Sequence, residues 1–126
     1  MKLRTVFALH LPFLLFSGVY GSLFPRWVLR MYGLPANEAA IWMTRALGGC
    51  ILGMAVLVRH CRRSHDAEVR RTLATALCLW QVVNVWATWE VRRGGTVNAF
   101  GTYTLVLSVL WAAAYGFFLL VRRQDM

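Results

Sequence analysis

The sequence predicts an all-α integral membrane protein, a bundle of four transmembrane helices with a short interfacial helix after the first. Three observations carry that expectation. Of 126 residues, 59% are hydrophobic and 15% charged, whereas a water-soluble domain covers itself with roughly a quarter charged residues. The mean hydropathy is +0.53. The charges gather between uncharged runs close to the roughly 20 residues that a helix needs to cross about 30 Å of hydrocarbon. The runs are continuously apolar instead of alternating with period two, which argues against barrel strands. The same composition excludes a disordered chain and a disulfide scaffold, and leaves no room for a second soluble domain.

The first span is Thr5 to Phe24, within a stretch free of charge between Arg4 and Arg26. Its basic start and small residues Gly18, Gly21 and Ser22 resemble a cleavable signal peptide. The apolar run exceeds the 7 to 15 residues usual for a signal core, so a retained helix is expected. Residues 25–35 read as an interfacial element on the outer side. Pro25 suits a first helical turn and Gly33 a helix end. Arg26 and Arg30 fall four apart on one face, with Trp27, Met31 and Leu34 on the other.

The second span, Ala39 to Val58, is interrupted by Arg45 alone. Residues 59–71 form a basic cytoplasmic linker. The third span, Thr72 to Trp89, has no charge, and the fourth is Ala99 to Val121. With the amino terminus inside, Lys2, Arg4, Arg59, Arg62, Arg63, Arg70, Arg71, Arg122 and Arg123 face the cytoplasm, against Arg26, Arg30, Arg92 and Arg93 outside. Nine against four places both termini in the cytoplasm. Basic residues that flank apolar spans also account for a pI near 10.8 without nucleic-acid binding.

Lipid tails are as apolar as Leu, so the helices must associate through close packing and hydrogen bonds. Ala46, Gly49 and Gly53 in the second span, and Gly101, Leu105, Ser108, Ala112 and Tyr115 or Gly116 in the fourth, are expected to face inward. Gly49-x-x-x-Gly53 also permits a homo-oligomer.

The sharpest polar feature is Arg45, six positions into its span and so roughly 9 Å along the helix. An Arg near the centre of a bilayer costs on the order of 2.5 to 3.5 kcal/mol. An ion pair with Glu90, at the outer end of the third span, would offset that cost. The alternative has Arg45 reaching the headgroups and Glu90 pairing locally with Arg93. Gln81, Asn84 and Thr88 recur at three and four residues and share a stripe. That stripe either bonds neighbouring helices or lines a small-molecule site with Arg45, Tyr20 and Tyr103.

No cofactor is expected. His10 and His60 are the pair to weigh as axial haem ligands. Two histidines make no motif, and the plainer reading has His10 hydrogen-bonded inside the bundle and His60 in a solvated linker. His60, Cys61 and His65 lack a fourth partner for a metal. Cys50, Cys61 and Cys78 contain no Cys-x-x-Cys, which weakens a thiol oxidoreductase. No Gly-x-Ser-x-Gly, His-Glu-x-x-His or phosphate-cradling loop occurs, so no catalytic residue is named and an enzyme is not expected.

Asn37, Glu38, the run Arg45-Ala-Leu-Gly48-Gly49, Gly53, the basic linker and Asn98-x-x-Gly101 resemble, over residues 37 to 121, small bacterial four-helix membrane proteins broadly similar to the DoxX-like group. That resemblance implies a bacterial inner-membrane protein and supplies no catalytic residues. Length and span number are also similar to the small multidrug exporters, but the first span lacks their membrane glutamate. The expected function is an accessory or assembly subunit beside a larger membrane partner. The alternative is a lipid-binding or small-molecule-binding membrane protein, or a transporter, with its site in the outer half.

Overall fold

The computed structural model describes residues 2–95 and 98–121. Arg122 and Arg123, two of the nine residues counted toward the inner face, lie outside the described residues. Five helices follow one another: α1 (Leu3–Leu23), α2 (Pro25–Tyr32), α3 (Glu38–Cys61), α4 (Ala67–Arg93) and α5 (Ala99–Leu120). No strand occurs among the described residues.

Side-chain caps set the helix ends. The Asn37 side chain accepts from Ala40 N at 2.8 Å, Asp66 accepts from Glu68 N at 2.8 Å, and Asn98 accepts from Phe100 N and Gly101 N. Each uses a side-chain oxygen to satisfy an amide that has no partner within its helix. Pro25 opens α2, where its missing N–H costs nothing. Gly33 closes that helix at φ +73°, with Gly33 N donating to Arg30 O and Leu34 N to Leu29 O, a left-handed turn that glycine adopts without strain. Caps also explain why helices overrun the apolar windows. The linker expected over residues 59–71 shrinks to a short turn, because α3 continues to Cys61 and Asp66 starts α4 at Ala67.

Two helix pairs, α1 with α3 and α4 with α5, make up the molecule. They join at one end, called basal here, where the starts of α1 and α4 meet the ends of α3 and α5. Leu3, Phe7, Val58, Leu73, Leu77, Tyr115 and Phe118 form one buried cluster there. The basal turn is pinned as well: Arg4 Nη2 donates to Ser64 O at 3.1 Å, and Arg70 Nη1 donates to the same carbonyl. Toward the other, distal end α4 buries nothing beyond Gln81. The pairs are bridged there by α2, whose Met31 carbonyl accepts from Asn98 Nδ2 at 2.7 Å while Tyr32 packs edge-on against Phe100.

Three helices, α1, α3 and α5, are long and apolar enough to cross a membrane. The outward faces carry large apolar side chains, among them Trp42 at 70%, Trp86 at 66% and Leu120 at 77% exposure. Surface of that kind suits lipid better than water. The 27-residue α4 does not reach the same apolarity. Its middle carries Gln81 and Asn84, and its ends carry Glu68, Arg70, Arg71, Glu90, Arg92 and Arg93.

The inward face of α3 is not the expected one. Gly49 and Gly53 are exposed, and a Cβ at either would meet nothing within 4 Å. Gly48 is the buried glycine. A Cβ there would run into Ser22 N and lie 2.7 Å from Gly21 C, and one at Gly21 would lie 3.1 Å from Gly48 Cα. The α1 and α3 backbones therefore touch directly, a close approach that only glycine permits. The expected face was one position off because Gly48 and Gly49 are neighbours 100° apart on the helix, and the residue that α1 selects is set by its own Gly18 and Gly21. On α5, Gly101 is buried and the Ala112 carbonyl accepts from Cys78 Sγ at 3.7 Å. Gly116 has open space where its Cβ would lie.

Gly48→Ala should therefore destabilise the protein by about 1 to 3 kcal/mol through overpacking. Gly49→Ala and Gly53→Ala should stay within about 0.5 kcal/mol of the parent chain. Equilibrium unfolding in detergent measures all three. Ser22 Oγ is buried with no hydrogen-bond partner at this same contact. Ser22→Ala should be neutral or stabilising by up to about 1 kcal/mol in that assay, since it removes an unsatisfied polar atom.

Candidate functional site

The most deeply placed polar side chains converge from three helices. His10 on α1 is 2% exposed, Gln81 on α4 5%, and Tyr115 on α5 0%. His10 Nδ1 lies 2.7 Å from Tyr115 Oη, and His10 Nε2 lies 3.2 Å from Gln81 Nε2. With the Gln81 amide donating to Nε2, a neutral imidazole carries its hydrogen on Nδ1 and donates it to the tyrosine oxygen. Trp111, one turn before Tyr115, stacks on the imidazole with centroids 4.3 Å apart, and Phe7 packs against Tyr115 at 5.8 Å.

Local sequence places each group. His10 shares a face of α1 with Leu3, Val6, Phe7 and Leu14, all buried, so a helix turn brings the imidazole into the basal cluster. Gln81 continues the buried stripe Leu73, Ala74 and Leu77 of α4. Tyr115 and Phe118 are the buried pair near the end of α5. The arrangement is a hydrogen-bonded tie between helix pairs, shielded by aromatic rings. Burying these atoms unpaired would be costly, so the bonds fix the mutual register of α1, α4 and α5.

Of the residues expected to form a site, the structure brings only some together. Gln81 does bond a neighbouring helix, as one of the two readings of its stripe requires. Asn84 and Thr88 are half-buried and make no side-chain hydrogen bond among the described residues. Arg45 is exposed and has no ion-pair partner among them, so the expected bridge to Glu90 is not formed. Glu90 pairs instead with Arg93 at 3.6 Å, three residues along the same helix. Proximity in sequence decides this: α4 lies against α5 while Arg45 stands on α3, in the other pair. Tyr20 packs among Phe16, Phe24 and Trp27, and Tyr103 is exposed beside Phe100.

Both ring nitrogens of His10 are engaged by side chains, so its service as an axial haem ligand would require breaking one of those bonds. His60 is exposed near the end of α3. Among the described residues no group of three or more His, Cys, Asp or Glu is placed to hold a metal ion. The three cysteines are free.

Spacing puts Tyr115 or Gly116 on the inward face of the last span, and Tyr115 is the buried one, but its bond to His10 and the stacking of Trp111 on the imidazole are not foreseen by it. A signal existed: His10, Gln81 and Tyr115 stand six, ten and seven positions from the flanking arginines Arg4, Arg71 and Arg122, similar depths from one face. Comparison with protein-family models, with curated proteins and with solved structures returns no match to this chain.

A double-mutant cycle of His10→Ala and Tyr115→Phe, followed by unfolding in detergent, should show coupling of about 0.6 to 1.7 kcal/mol, the range of hydrogen bonds between membrane helices. The same cycle on Arg45→Ala and Glu90→Ala should be additive to within about 0.5 kcal/mol, because the pair makes no contact.

Proposed function

We propose that this chain is a four-span integral membrane protein of the bacterial inner membrane, with both termini cytoplasmic, acting as a non-enzymatic accessory or assembly subunit beside a larger membrane partner. The observation that carries this reading is how the polar groups are distributed. The deepest polar side chains, His10, Gln81 and Tyr115, are spent on one another. The outward faces of α3 and α4 instead present Trp42, Met43, Val82, Val83, Trp86 and Trp89. A protein with its polar chemistry turned inward and large aromatic residues outward is built to pack laterally.

Geometry supports counting α4 as the fourth span. Its Leu73 sits in the basal cluster with Phe118 of α5, and Arg92 Nη1 near its other end donates to Thr102 Oγ1 at the start of α5, at 2.7 Å. Antiparallel partners in contact near both ends run through the same thickness. The reading of α2 as an interfacial helix draws on its burial of Pro25 and Leu29 with Arg26 and Arg30 left exposed.

A second reading, a lipid or small-molecule site in the outer half, is favoured by one specific observation: Asn84 and Thr88 are half-buried and make no side-chain hydrogen bond among the described residues. Native mass spectrometry of the protein extracted in mild detergent separates the two. A membrane protein retained in fixed stoichiometry is the expected outcome. A retained small molecule lost in Asn84→Leu would favour the second reading, and a chain that carries neither overturns the first. For topology, a reporter fused after Met126 that is active only outside the cell should remain silent, and a signal from it reverses the orientation.

A further inference from the structure

On the basal surface of α3 a groove of about 450 Å³ is lined by Val56, Arg59, His60 and Arg63. All four side chains are exposed. Arg59 and His60 lie in the last turn of α3 and Arg63 in the turn that follows it, where Arg63 N donates to the His60 carbonyl, so the chain brings all three to the rim of one groove. Val56 stands one turn nearer the middle of the helix and forms the apolar floor.

Four arginines elsewhere in the molecule have side-chain partners. Arg4 and Arg70 hold the Ser64 carbonyl, Arg92 holds Thr102, and Arg93 faces Glu90. Arg59 and Arg63 have no ion-pair or side-chain hydrogen-bond partner among the described residues. The guanidinium groups and the imidazole that line the groove supply N–H donors of the kind that bind phosphate oxygens. Beyond the cations the surface turns apolar at Val56, and at Gly53 a Cβ would meet nothing within 4 Å, which leaves the way along the helix open.

We infer that this groove seats an anionic phospholipid: its phosphate rests on Arg59, His60 and Arg63, and the first methylenes of one chain lie over Val56. Charge complementarity selects the occupant, since cations at the boundary between polar and apolar surface are positioned for a charged headgroup carrying a hydrocarbon tail. The inference rests on the membrane reading above, and adds a lipid site at the opposite end from the one considered there.

The test reconstitutes the purified protein in nanodiscs of phosphatidylglycerol and phosphatidylcholine in equal parts, then counts retained lipids by native mass spectrometry after release. The parent chain should retain phosphatidylglycerol preferentially. Arg59→Gln with Arg63→Gln should lower that preference at least tenfold, at about fivefold per cation removed near a membrane surface. Arg93→Gln, which removes one charge from a residue already paired and would cost about fivefold if charge alone counted, should leave the preference unchanged, and millimolar inorganic phosphate should not displace the lipid. Equal retention of the two lipids, an equal loss in Arg93→Gln, or displacement by phosphate overturns the inference. Because both arginines lie on the surface without partners, the double variant should melt like the parent. A chain that stays folded and monomeric in buffer without amphiphile would instead overturn the membrane reading itself.

Discussion

The contact on which the rest of this structure depends is the one His10 makes with two other helices at once. Packing of α1 on α3 and of α4 on α5 produces two stable pairs, but apolar faces alone do little to fix how one pair sits on the other, because in hydrocarbon a Leu gains little by exchanging a lipid neighbour for a protein one. The imidazole's hydrogen bonds, one accepted from Gln81 and one donated to Tyr115, supply a preference that lipid cannot satisfy. Slide α4 by one residue and Gln81 rotates away from the ring. Register therefore follows from a polar triad in an otherwise apolar cluster.

Around that tie the molecule is unevenly built. The basal half holds the buried cluster, the triad and the arginines on Ser64, whereas α4 buries no residue beyond Gln81, and its distal end is held to α5, which α2 in turn reaches through Asn98. Close backbone contact at Gly21 and Gly48 carries the α1–α3 pair toward the distal end without help from α4. Rigidity should thus fall from the basal to the distal end, as expected wherever buried contacts thin out.

Much of this architecture was legible from residue order. Hydropathy located α1, α3, α4 and α5, and the caps Asn37 and Asn98 stand where those runs begin. Pro25 and Gly33 marked the ends of α2 within an element expected over residues 25–35. What spacing cannot reveal is which of two adjacent residues meets a neighbour: Gly49 and Gly53 share a face, yet the contact with Ser22 and Gly21 chooses Gly48. Charge matching failed at Arg45 for a related reason. An acidic residue three positions from an arginine on its own helix needs no tertiary fold to find it, and Arg93 reaches Glu90 first. The triad went unread because its members lie 71 and 105 residues apart, where common depth is the sole clue.

Asn98 has a consequence for how movement travels through the chain. Its carboxamide oxygen caps α5 while its nitrogen grips the last turn of α2. Aspartate would keep the cap and drop the grip; serine is too short to do both. A tug on the short helix between the first two long ones is thereby delivered to the opening turn of the last one as well as to α1 and α3, against which α2 also packs, so a single displaced element would be felt by both helix pairs at once.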